Sequence, residues 1–87
     1  TLKLRFDRSL INVVVDRFGK DVLLIPDGDD HFVFTVNVAV SPMFLSWVIG
    51  FGDKAKILCP ASVQKACQDL CRQVIAQYQT SEKDEKT

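Results

Sequence analysis

The chain has 87 residues, which leaves room for one small domain and excludes two independent cores, a dinucleotide-binding enzyme or a barrel. A hydrophobic content of 47%, with six Phe and one Trp beside 25% charged residues, exceeds what an intrinsically disordered chain carries. Eleven Lys and Arg balance eleven Asp and Glu to a formal net charge of zero, so the basic footprint that gripping a phosphate backbone requires is missing.

No apolar run reaches the length of about eighteen residues that a membrane span needs, because Asn12, Asp16, Asn37 and Ser41 interrupt the apolar stretches. No membrane partner is expected. Cys59, Cys67 and Cys71 make an odd count without the density of a secreted disulfide scaffold, which points to a reducing, cytoplasmic setting. The chain starts at Thr1 with no leader pattern and enters a strand at once, so a domain cut from a longer protein is expected.

Leu2, Leu4 and Phe6 alternate with Lys3, Arg5 and Asp7, the period-two pattern of a half-buried strand. Asp7 can cap a helix whose apolar positions Leu10, Val14 and Phe18 recur every four residues and which Gly19 stops. A second strand is expected over Val22 to Ile25, with the run from Pro26 to Asp30 as a hairpin turn. Phe32, Phe34, Val36, Val38 and Val40 then fall on one face of a long third strand, with Val33, Thr35, Asn37 and Ala39 on the other. Ser41-Pro42 marks the start of a short helix carrying Phe44, Leu45, Val48 and Ile49 and ending at Gly50 and Gly52. Ala55, Ile57 and Cys59 define one face of a fourth strand that Pro60 closes. Val63, Cys67, Leu70, Val74 and Tyr78 are spaced for a long amphipathic terminal helix.

The order β-α-β-β-α-β plus a terminal helix predicts an α+β domain over residues 1–80. Its arrangement is ferredoxin-like, an antiparallel sheet with helices on one face. Residues 81–87, which lack apolar side chains, are expected to form a disordered tail. With Phe6, Phe34, Val36 and Ile57 turned toward the helices, the open sheet face should carry Lys3, Arg5, Val33, Thr35, Asn37, Lys56 and Leu58. Such a mixed apolar and basic face is a candidate interaction surface, against the ordinary alternative of a solvated one.

The stretch from Trp47 to Pro60, WVIGFGDKAKILCP, resembles the WCX domain, the C-terminal extension of WYL-domain transcriptional regulators. There a Trp-bearing helix runs into a glycine turn, a strand, a proline and a long last helix. Leu4-Arg5-Phe6, Pro26-Asp27-Gly28, Val36, Val38 and a last helix ending at Tyr78 extend the match over nearly the whole chain. The resemblance implies a bacterial, homodimeric, DNA-binding regulator. In such a protein a separate helix-turn-helix domain reads DNA, a WYL domain senses a small-molecule or nucleic-acid effector, and this domain serves pairing and regulation. The Trp-Tyr-Leu motif is absent from this chain, so no ligand residue carries over.

Trp47 is a candidate stacking residue, although its neighbours Leu45, Val48 and Ile49 favour packing. His31 is the only histidine, which excludes a two-histidine metal motif. Cys67 and Cys71 stand one helical turn apart, but zinc needs four ligands, so structural thiols are expected. Cys59 reads as a small core residue. Asp27, Asp29 and Asp30 lack the rest of a calcium loop. No acid, base or nucleophile has motif spacing, so no enzyme, cofactor or metal is expected. The alternative to the regulatory reading is a small-ligand-binding module of ferredoxin-like fold.

Overall fold

The computed structural model describes the backbone of residues 1–84 and the side chains of residues 1–79. Of the disordered tail expected over 81–87, residues 81–84 continue the last helix and residues 85–87 lie outside the described residues. Four strands, β1 (Leu2–Asp7), β2 (Ile25–Asp27), β3 (His31–Val36) and β4 (Ala55–Cys59), form one sheet in the order β2-β3-β1-β4. Every pairing is antiparallel. The helices are α1 (Ile11–Phe18), α2 (Pro42–Ile49) and the long α3 (Ala61–Asp84). The protein is thus α+β, and no helix among the described residues is long and apolar enough to cross a membrane.

Alternation in β1 sets the two faces of the sheet. Leu2, Leu4 and Phe6 are buried and stand opposite Val36, Phe34 and Phe32 of β3, while Leu4 also faces Ile57 of β4. α1 and α2 both cover this same face, since Phe18 of α1 lies 5.8 Å from Phe34 and Trp47 of α2 lies 5.8 Å from Phe6, ring to ring. Phe6 also meets Phe34 at 5.1 Å edge-on and Phe51 at 5.8 Å. Val14, Phe44, Leu45 and Val48 complete the buried core.

Local chemistry explains where the elements start and stop. Asp7 accepts hydrogen bonds from the Ser9 backbone N–H at 2.9 Å and the Ser9 hydroxyl at 2.6 Å. This cap opens a 3-10 turn over Arg8–Leu10 before α1 begins, where a single helix from Asp7 was expected. Gly19, at φ 96°, ends α1 in a backbone conformation that side chains disfavour. The Ser41 hydroxyl accepts from the Phe44 N–H at 3.2 Å, with Pro42 in the first turn of α2.

Three expectations are corrected. The second strand is Ile25–Asp27, not Val22 to Ile25, so Pro26 and Asp27 lie in the strand and the turn begins at Gly28, φ 74°. Pro26 is tolerated because β2 is a sheet edge, where a missing donor breaks no ladder. The third strand stops at Val36, since its partner β1 begins at Leu2, opposite Val36, and offers nothing further to pair with. Asn37 consequently lies past the strand, and Val40 is exposed. Along α3 the apolar stripe is covered only as far as Leu70, while Val74 and Tyr78 are exposed.

Phe6 has no exposed surface and contacts rings from β3, α2 and the loop after α2. Phe6→Ala is expected to cost about 3–5 kcal/mol of stability, read as a lowered urea midpoint. A loss below about 1 kcal/mol, the scale of a surface change, would remove this ring from the centre of the core.

Candidate functional site

The face opposite the helices is built by the same register. One row crosses all four strands as Ile25, Val33, Arg5 and Lys56. The row toward the hairpin holds Asp27, His31 and Asp7, and the row at the other end holds Thr35, Lys3 and Cys59. Five of the expected face residues, Lys3, Arg5, Val33, Thr35 and Lys56, therefore stand together. Asn37 lies beyond β3 and receives a hydrogen bond from the Thr1 hydroxyl.

Cys59 is the instructive departure. It was expected in the core with Ala55 and Ile57, but it is exposed. The pairing of β1 with β4 is irregular between Lys3 and Leu4, so Leu4 faces Ile57 while Lys3 faces Cys59. That irregularity accommodates Leu58 as an extra residue and carries Cys59 to the outer face. The residues of the face that period-two reading missed are Ile25, Asp27, His31 and Cys59 itself. Placing β2 over the Ile25–Asp27 run would have found the first two.

The face is electrically polarised. Lys3 stands in one end row and Arg5 and Lys56 in the middle row, while Asp7 and Asp27 occupy the end row nearest the β2-β3 turn, with Asp29 and Asp30 in the turn itself. Arg5 reaches across Val33 so that its Nη1 stands 4.0 Å from Asp27 Oδ2, both side chains being over a third exposed. Such a pair contributes about 0–1 kcal/mol in water. Asp7 differs, because the Ser9 hydroxyl and N–H, assisted by Lys54 and His31, hold its carboxyl below the ordinary value of 3.8. Among the described residues no group of three or more His, Cys, Asp or Glu side chains is arranged to hold a metal.

Trp47 is half-buried and is not part of this face. Its indole meets Phe51 at 5.1 Å, Phe18 at 5.8 Å and Phe44 at 5.9 Å, and the Arg17 guanidinium lies 4.6 Å from the ring centre. A base stacking on it would have to displace Arg17 or a core ring.

Residues 1–75 match the family of the WCX domain. No curated protein and no solved structure matches the chain.

The Asp7 cap carries a pH signature. A carboxyl whose folded pKa is lowered contributes stability above its unfolded pKa and loses it as pH falls through the folded value. Asp7→Asn, which keeps an acceptor but cannot titrate, is expected to flatten the loss of stability between about pH 5 and about pH 2, measured by urea denaturation. Identical acid limbs for the two proteins would show that Asp7 titrates no differently in the folded and unfolded chains.

Proposed function

The chain belongs to the WCX-domain family, and from that membership we propose that it is the regulatory and pairing domain of a bacterial, DNA-binding transcriptional regulator. In this reading it is not an enzyme, and DNA is read by a helix-turn-helix domain outside the 87 residues. The strand order, taken from the β4 edge as β4-β1-β3-β2 with α1 and α2 on one face, supports a ferredoxin-like class.

The polarised sheet face is the observation that carries the pairing part of the proposal. A two-fold interface brings the same patch of both protomers together, so the patch must complement itself. If two copies meet face to face with β1 antiparallel to its partner and the Arg5 row at the centre, the Lys3 end lies over the other copy's Asp7 and Asp27 end. Ile25, half of whose surface is exposed, and Val33 supply the apolar centre beside it. Charge complementarity of this kind fixes orientation more than it adds affinity. Pairing geometry in turn sets the spacing of DNA half-sites that distant reading heads can reach, which lets a domain that touches no base control binding. The zero net charge is consistent with that division of labour.

Light scattering over a dilution series tests the proposal. The chain is expected to dimerise, and Arg5→Glu combined with Thr35→Glu is expected to leave monomers with an unchanged circular dichroism spectrum. A dimer that survives both substitutions, or a monomer at every concentration, would defeat the assignment of pairing to this face.

A further inference from the structure

On the helix side of the sheet, between α2, β4 and α3, lies a cavity of about 490 Å³. Gln64, Cys67, Gln68 and Cys71 of α3 form one wall, and Val48, Ile49 and Ile57 stand among the residues of the other. Cys67 and Cys71 are both half-buried free thiols one turn apart. No carboxylate or imidazole lines the cavity. We propose that Cys67 and Cys71 form a dithiol site for a thiophilic centre that takes two sulfur ligands, of the class of trivalent organoarsenicals.

Geometry decides between the chemistries open to two thiols. Residues i and i+4 of a helix hold their Cβ atoms about 5–6 Å apart, whereas a disulfide needs them at about 3.5–4.5 Å. A direct sulfur–sulfur bond would therefore distort the helix, while one bridging atom between the sulfurs fills the extra distance. Zinc would require four ligands, and the described residues bring no third or fourth to the pair. Burial, followed by the neighbouring Cys71 thiol that is hydrogen-bonded to it, raises the Cys67 thiol above its ordinary value of 9.0. Cys67 thus stays protonated at neutral pH and resists simple alkylation, while the pair can still bind a centre that both sulfurs engage together. The apolar wall suits an aryl or alkyl substituent on the arsenic.

The reaction balances without an oxidant. An organoarsenic(III) oxide and two thiols give two As–S bonds, and the two S–H protons leave with the oxide oxygen as water. Arsenic remains in the trivalent state, and neither sulfur changes oxidation state.

Phenylarsine oxide is the probe, titrated into the 87-residue chain and followed by mass spectrometry and by the number of thiols left reactive to a disulfide reagent. One arsenic per chain and loss of two thiols are expected, with both results retained in Cys59→Ser. Binding at least tenfold weaker is expected in Cys67→Ser and in Cys71→Ser. Cys67→Ala and Cys71→Ala serve in their place should a serine disturb the helix, as judged by circular dichroism. No adduct on the wild-type chain, two chains per arsenic, or undiminished binding in folded single-cysteine variants of the pair would each overturn the site. The outcome is independent of the pairing test, because Cys67 and Cys71 lie on α3 and neither stands on the open sheet face, although Lys56 of that face reaches the cavity edge.

Discussion

The clustering of aromatic rings on Phe6 is the constraint from which the rest of the architecture follows. Phe6 sits on β1, the strand that pairs with both β3 and β4, and its ring touches Phe34 of β3, Trp47 of α2 and Phe51 of the loop that leads to β4. Trp47 extends the cluster to Phe18 of α1 and Phe44. Edge-on and tilted ring pairs contribute about 0.5–1.5 kcal/mol each beyond the area they bury. A domain this small has little other surface to spare, so these rings join strands and helices from both halves of the chain.

Committing Phe6 to the helices also fixes what faces the other way. Strand side chains alternate, so Arg5 and Asp7 must emerge on the open face once Leu4 and Phe6 are buried. The polarised surface is in this sense the complement of the core, and it could not shift by one residue without exposing Phe6. The sheet edges are managed separately. Gln64 of α3 donates from its side-chain amide to the Ile57 carbonyl at 2.8 Å, covering part of the β4 edge, and β2 is three residues long with a proline in its middle. Both devices discourage edge-to-edge strand addition. The same Gln64 stands on the cavity wall beside the two α3 cysteines, so edge cover and cavity share one helical face.

Much of this was legible in the residues. The strand at Leu2, the helix opened by Ser41-Pro42 and the long α3 each carry a pattern whose cause is local: alternation, a cap, or a repeat of three and four. Lys3, Arg5, Val33, Thr35 and Lys56 could be placed on one face because their strands were found in the right phase. The boundaries of β2 and β3 were not legible, for a physical reason. A strand's extent depends on its partner's extent, and the apolar alternation running on to Val40 says nothing of where β1 begins. Cys59 was misplaced for a related reason, since an extra residue in β4 inverts every position after it and leaves no trace in composition.

The sequence by itself determined which segments are helical or extended, that one face of the sheet would be apolar, and, by its resemblance, the family. Those properties arise from side-chain periodicity and capping, which act over a few neighbouring residues. Tertiary structure decided the rest: the order β2-β3-β1-β4, the ends of β2 and β3, the covering of Trp47 by Arg17, and the gathering of Asp7, Asp27 and His31 at one end of the face. It also brought Cys67 and Cys71 against the apolar wall of α2 and β4. These are relations between residues distant in the chain, set by how the sheet pairs and how the rings pack around Phe6, and no local pattern encodes them.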